Sequence, residues 1–152
     1  MVETDLTLID YFSVIGFDES VGLKPDHSAD VISDYVEAST SNQNQPPLER
    51  SYVARILAHF PETRPGFPFA QEISSLCMPK GLRFYTEKIE PKFHSFVNIR
   101  EDGTRINGCC LTLYEEVQDE QLRQEIVNLQ MEHVKDLAMV EKSTQERVHH
   151  PP

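Results

Sequence analysis

The sequence predicts one mixed α/β (α+β) domain: a mostly antiparallel sheet of about five short strands with helices packed against it. Three observations predict this fold class. Short β-branched and aromatic segments alternate with turn residues, residues 96–116 form two half-apolar strands around Asp102-Gly103, and a long amphipathic segment occupies 119–147. A chain of 152 residues is long enough for one hydrophobic core.

The first two strands are predicted from apolar segments on either side of a polar stretch. The aromatic and β-branched residues of TLIDYFSVIGF predict a buried strand at roughly 10–17. The segment SYVARILAHFP (51–61) predicts a second strand, antiparallel to the first and stopped at Pro61.

Residues 18–49 are rich in Asp, Glu, Ser, Asn, Gln and Pro and contain few apolar residues. Such a composition buries too little apolar surface to offset the entropy lost on ordering. We therefore expect an acidic, mostly mobile insertion loop here, with a short helical turn near 29–36.

Between the second strand and the hairpin, the sequence predicts a loop with three prolines at 61–69 and one or two helical turns at 70–79. The turn Pro79-Lys80-Gly81 then leads into a short strand at 82–88.

The register of the hairpin is predicted from its turn. A two-residue loop at Asp102-Gly103 needs positive φ at both positions and pairs residues whose numbers sum to 205. One face is then apolar along its length, with Phe93, Ser95, Val97 and Ile99 against Ile106, Gly108, Cys110, Thr112 and Tyr114. The other is polar near the turn and apolar away from it, with His94, Phe96 and Asn98 against Arg105, Asn107, Cys109, Leu111 and Leu113. This pattern predicts a sheet covered fully on one side and partly on the other.

Residues 119–147 predict the main covering helix. Apolar residues step by three and four along it, interrupted once by a histidine, at Leu122, Ile126, Leu129, His133, Leu137 and Val140. Asp119 is a candidate N-cap. Packing on the chain's own sheet and pairing with a partner helix both remain open. Residues 148–152 are expected to form a disordered tail.

The net charge of −11 is concentrated at the two ends of the chain. Residues 1–49 carry −9, residues 50–114 carry +3 and residues 115–152 carry −5. Without a basic cluster, nucleic-acid binding and electrostatic attraction to anionic lipid are disfavoured. We expect no transmembrane segment and no secretory signal, because the most apolar segment, 6–17, is too short and contains Asp10.

The residues that could carry chemistry form no recognisable catalytic pattern. Three cysteines without paired spacing, Cys77, Cys109 and Cys110, argue for a reducing, cytoplasmic setting. Adjacent cysteines on a strand point to opposite faces, so the last two cannot readily pair with each other. Neither the histidines nor the glycines have metal-ligand or phosphate-loop spacing, so we expect no metal and no cofactor.

Four blocks, read in order, resemble the upstream (uDENN) region of the tripartite DENN domain: DYFSVIGF (10–17), ARILAHFPE (54–62), ISSLCMPKGL (73–82) and FHSFVNIREDGTRINGCCLTLYEEV (93–117). The third and fourth blocks, with Cys-hydrophobic-Pro-x-Gly, Phe-His-x-Phe, Asp-Gly-x-Arg and Leu-Thr-x-Tyr-Glu, are the specific ones. Their details most resemble the subfamily with RUN and PLAT domains downstream. The resemblance covers about 8–118 apart from the insert.

The resemblance implies a longin-like module, a five-stranded sheet with helices on both faces. A hairpin bare to solvent on one whole side would contradict that assignment and the GTPase inference drawn from it. DENN proteins act as guanine nucleotide exchange factors for Rab GTPases in vesicle trafficking, without covalent catalysis. The partner implied is thus a Rab GTPase, at a cytoplasmic location with peripheral recruitment to membranes left open.

The central and downstream DENN lobes are absent from these 152 residues, so we expect a fragment or short form with weak or no exchange activity alone. Arg105 matches the Asp-Gly-x-Arg position and, with Arg100, is the candidate GTPase contact, since guanidinium groups pair well with carboxylates. The alternatives are a longin-like docking module without exchange activity and, third, a thiol enzyme, which would show rapid alkylation of Cys77.

Overall fold

A computed structural model describes residues 7–26 and 45–149. The elements, in order, are β1 (Phe12–Gly16), a 3₁₀ helix (Pro47–Glu49), β2 (Arg55–Phe60), α1 (Ile73–Cys77), β3 (Lys92–Ile99), β4 (Arg105–Thr112) and α2 (Glu120–His149). The part of the acidic insert at 27–44, with the helical turn expected near 29–36, and the tail residues 150–152 lie outside the described residues.

β1 and β2 pair antiparallel, as the sequence predicts, from Phe12 opposite Phe60 to Gly16 opposite Arg55. The register shifts between Val14 and Ile15, so this ribbon contains a bulge. β2 ends at the cis peptide bond between Phe60 and Pro61.

β3 and β4 form a second, separate two-stranded antiparallel sheet. Their partners run from Lys92 opposite Thr112 to Ile99 opposite Arg105, so paired numbers sum to 204. The predicted register was therefore wrong by one residue. Arg100 N–H donates to Thr104 O at 2.9 Å, and Gly103, at φ +81°, occupies the left-handed position of the loop.

The conformation of the turn explains why the predicted register was wrong by one residue. A three-residue loop needs only one residue at positive φ, which Gly103 supplies, whereas the two-residue loop would also force Asp102 there. Asp102 instead accepts a hydrogen bond from Thr104 N–H at 2.8 Å. A one-residue slip moves every side chain of one strand to the opposite face relative to its partner strand.

The five-stranded sheet with helices on both faces was wrong for the described residues, which contain two two-stranded sheets. The predicted strand at 82–88 is reduced to a bridge between Leu82 and Tyr52. α1 does cover one face of the hairpin, since His94 Nε2 lies 3.1 Å from Leu76 O. On that face the ring of Phe96 lies over Gly108, directly opposite it.

Helix α2 packs beside the 3₁₀ helix rather than across the hairpin. Asp119 caps it, accepting a hydrogen bond from Leu122 N–H at 2.9 Å. Glu125 accepts a hydrogen bond from Leu23 N–H at 3.0 Å, and His133 Nδ1 lies 3.4 Å from an Arg50 guanidinium nitrogen. From Val134 onward every described residue of the helix is exposed.

The core lies where the segment before β2 meets the 3₁₀ helix. Tyr52 is 2 % exposed, its hydroxyl donates to Pro47 O at 2.7 Å, and its ring contacts Phe84 edge-on at 5.6 Å. Gly81 allows the close approach of the segment that contains Tyr52: a Cβ at Gly81 would lie 2.5 Å from Tyr52 O, and the φ of Gly81 is +65°.

Candidate protein-binding face

One side of the β3–β4 hairpin is an exposed apolar surface, which we call the hairpin face. Its large side chains are between 58 % and 68 % exposed, namely Phe93, Val97, Ile99, Leu111 and Leu113. The remaining residues of the surface are Ser95, Arg105, Asn107 and Cys109, all exposed. A contiguous apolar patch of this kind is typical of an interaction surface, because monomeric proteins seldom leave several large apolar side chains together in water.

The expectation that both sides of the hairpin are shielded was therefore wrong for the described residues. The side under α1 carries the half-buried residues, including Phe96, Ile106 and Cys110. The sequence predicts apolar residues on both sides correctly, but α2 does not supply the second cover. The face was missed as a site because the predicted register placed its β3 residues on the fully covered side.

The two candidate arginines lie in different surroundings. Arg100 is bound to α1's N-terminal side: its Nε donates to Glu72 Oε1 at 2.9 Å, and a second guanidinium nitrogen lies 2.7 Å from the same oxygen. The pKa of Glu72 is lowered, first by a hydrogen bond from its own backbone N–H and then by Arg100. Arg100 therefore joins the hairpin tip to α1.

Arg105 lies on the hairpin face, opposite Ile99 at the turn end of β4. It is exposed, and none of the hydrogen bonds or ion pairs described within 7–26 and 45–149 involves its side chain. A cation at the margin of an apolar patch can pair with a carboxylate of a protein partner while the patch is desolvated. The structure thus does not bring the two arginines together, and only Arg105 is on the apolar surface.

A second concave region lies at the other sheet. It is an open cleft of about 470 Å³ whose lining includes Tyr11, His59, Arg64 and Phe69. His59 stacks on Phe69 at 3.9 Å, and its Nδ1 lies 2.9 Å from Pro61 O. Arg64 pairs with Asp10. His59 and Arg64 are thus engaged in structural contacts, and the lining contains no cysteine and no serine.

The described residues form no cluster of side chains suited to catalysis or to metal binding. No group of three His, Cys, Asp or Glu side chains there is placed to hold a metal ion. Cys77 is buried, and burial, followed by the neighbouring Cys110, raises the pKa of its thiol to about 12, which is the opposite of an activated nucleophile. No helix of the described chain has the length and apolarity needed to cross a bilayer.

Comparison with known families agrees with the resemblance seen in the sequence. The model of the uDENN domain family matches residues 54–113, which contain β2, α1 and the whole hairpin with both candidate arginines. This match supports a DENN-type uDENN region in the chain. No solved structure matches the chain.

Proposed function

We propose that this chain is the N-terminal lobe of a DENN-type Rab guanine nucleotide exchange factor, and that its hairpin face contributes to binding a Rab GTPase. The observation that carries the proposal is the uDENN match over 54–113, which covers the whole exposed hairpin. Because that hairpin is bare on one side, the proposal rests on the family match and the surface chemistry, and takes nothing from a longin-like architecture.

Exchange factors of this kind act by differential binding: they favour the nucleotide-free state of the GTPase and form no covalent bond with it. The hairpin face can supply apolar contact area, and Arg105 a charge-assisted contact to a switch-region carboxylate. A two-lobed clamp needs the central and downstream DENN lobes, so this chain alone should bind weakly and release little GDP. The RUN- and PLAT-containing subfamily and peripheral recruitment from the cytoplasm to membranes belong to the same proposal.

A second candidate function is a docking module without exchange activity. The exposed apolar face favours it equally, since such a face serves any protein partner. The two functions differ in nucleotide dependence. An exchange-factor lobe binds the nucleotide-free GTPase more tightly than the GDP-bound form, whereas a docking module has no such preference.

The proposal predicts that Arg105→Glu weakens Rab binding by about tenfold, the size expected when one charge-assisted contact becomes repulsive. The measurement is a titration of the chain against a panel of nucleotide-free Rab proteins. Lys88→Glu, the same charge change at an exposed loop position outside the hairpin, is the matched control and should leave affinity unchanged. Equal affinities for the two variants would remove Arg105 from the interface.

The exchange reaction itself is tested with labelled GDP. The 152-residue chain should leave GDP release near the intrinsic rate, and adding the central and downstream lobes in one polypeptide should accelerate it. Rapid release by the chain alone would contradict the incomplete-clamp proposal. Binding that ignores the nucleotide state, with no acceleration in the longer polypeptide, would favour the docking module.

A further inference from the structure

Two cysteines from different elements meet beneath the hairpin. Cys77 is the last residue of α1 and is 8 % exposed. Cys110 lies on the half-buried side of β4, and its Sγ is 3.7 Å from Cys77 O. The two residues are 33 positions apart in the sequence, so their approach is produced by the packing of α1 on the hairpin.

A neighbouring contact between β3 and α1 stabilises the approach of the two cysteines. His94 lies directly opposite Cys110 in the hairpin, and its Nε2 is 3.1 Å from Leu76 O, one residue before Cys77. The end of α1 is therefore held over the hairpin by one contact from β3 and one from β4. Cys109 points to the opposite, exposed face of the same strand and cannot share this contact.

We propose that Cys77 and Cys110 form an oxidant-sensitive dithiol, which hydrogen peroxide converts into a disulfide between α1 and β4. The inference is independent of GTPase binding, because the pair lies on the covered side of the hairpin. Cys109, although more exposed, has no second thiol on its face.

The chemistry runs in two balanced steps. The Cys110 sulfur attacks one peroxide oxygen, the O–O bond breaks, the departing hydroxide takes up the thiol proton, and a sulfenic acid and one water result. The Cys77 sulfur then attacks the Cys110 sulfur, the S–O bond breaks, and the departing hydroxide leaves as a second water with the Cys77 proton. The two thiols lose two electrons, and the peroxide is reduced to water.

The order of the steps follows from accessibility. Cys110 is half-buried and reachable by a small oxidant, whereas Cys77 is buried and lies beside Cys110. Cys77 is therefore the resolving thiol, brought into position by α1. The disulfide would tie α1, and through Glu72 the Arg100 side chain, more firmly to the hairpin.

The test uses the full chain with Cys109→Ser, which removes the competing exposed thiol. After hydrogen peroxide treatment, the intact mass should fall by two hydrogen atoms, and a protease digest should contain one peptide pair linked through Cys77 and Cys110. The denaturation midpoint should rise on oxidation and return on reduction. Chains that keep two free thiols, or that carry only Cys110 sulfinic acid, would overturn the proposal.

The matched control is Cys110→Ser, which retains Cys77 and Cys109 on opposite sides of β4. It should give no intramolecular disulfide under the same conditions, and far-UV circular dichroism should show that it is folded. A Cys77–Cys109 link formed as readily as the Cys77–Cys110 link would also overturn the proposal. Disulfide mapping of the unaltered chain repeats the test without any substitution.

Discussion

At the scale of single residues, Tyr52 shows how a polar group stabilises a small core. Its ring fills the junction between the 3₁₀ helix, the Leu82 bridge and Phe84, and its hydroxyl satisfies Pro47 O. Burial also raises the pKa of Tyr52. Because Pro47 is itself buried, its carbonyl would lose its tyrosine partner if that hydroxyl were removed.

Tyr52→Phe should lower the free energy of unfolding by about 1 kcal/mol, since Pro47 O loses its 2.7 Å hydrogen bond and keeps only the 3.4 Å one from Arg50 N–H, while the ring contacts remain. Urea denaturation followed by circular dichroism measures this. Tyr85→Phe is the control: Tyr85 is 48 % exposed, so the same atom is removed from a partly exposed hydroxyl beside Tyr114 and not from the core. An equal loss in both variants would show that the Tyr52 hydroxyl contributes nothing particular.

The three thiols should react in the order of their exposure. With iodoacetamide at neutral pH, Cys109 should be modified first and Cys77 only after unfolding, because Cys77 is buried and the pKa of its thiol is about 12. The rate at Cys77 should rise with pH, as the thiolate fraction grows. Mass mapping of the labelled peptides at timed intervals measures the order, and rapid native labelling of Cys77 would revive the thiol-enzyme alternative.

At the scale of elements, the hairpin turn decides which residues meet water. Gly103 in the left-handed conformation permits a three-residue loop, and the resulting register puts Ser95 opposite Cys109. The two-residue loop would instead put Ser95 opposite Cys110. The difference of one residue determines whether the β3 apolar residues share a face with Ile106 or with Leu111.

The register can be tested with an added thiol. Directly opposite residues in an antiparallel pair have Cα atoms about 4.5–5.5 Å apart, within disulfide range. The thiol introduced by Ser95→Cys should therefore form a disulfide with Cys109 under mild oxidation, readable by peptide mapping. Asn107→Cys is the control, because it has Val97 as its partner and no thiol opposite. A dominant disulfide between the introduced thiol and Cys110 would contradict this register and support the two-residue turn.

At the scale of the whole molecule, only the first half of α2 packs against the rest of the described chain. Leu122, Ile126, Leu129 and His133 are half-buried, but the same stripe continues through Leu137 and Val140, which are 56 % and 63 % exposed. The body of the described chain ends before the helix does. Neither packing on the chain's own sheet nor pairing with a partner helix is therefore established for α2. Its first half packs beside the 3₁₀ helix, and its second half is exposed.

Removing residues 135–149 should change the free energy of unfolding by less than about 0.5 kcal/mol, because exposed side chains contribute little. Leu129→Ala, a half-buried position in the first half, should cost about 1–2 kcal/mol, below the range for a fully buried leucine. Chemical denaturation with tyrosine fluorescence measures both, since the chain has no tryptophan. A loss of several kcal/mol on truncation would mean that the second half packs on the body.

Local structure was predictable from the sequence alone. Aromatic and β-branched residues predicted β1, alternation predicted β2 and the β3–β4 hairpin, and Asp119 with the apolar stripe predicted α2, because these signals depend on backbone propensity and spacing over a few residues. The motif blocks also pointed to the uDENN family, whose model matches residues 54–113. Arg105 was identified as a candidate from its motif position, although its role remains a prediction.

Which surfaces are covered was settled by tertiary packing. The hairpin register depended on which of two Asp-Gly turns formed, and the turns differ by a free energy of about 1 kcal/mol for one positive-φ residue. The position of α2 depended on contacts between distant segments, such as Glu125 with Leu23 and His133 with Arg50. Long-range packing of this kind has no signature in a short window, so the bare hairpin face and the Cys77–Cys110 contact became visible only in three dimensions.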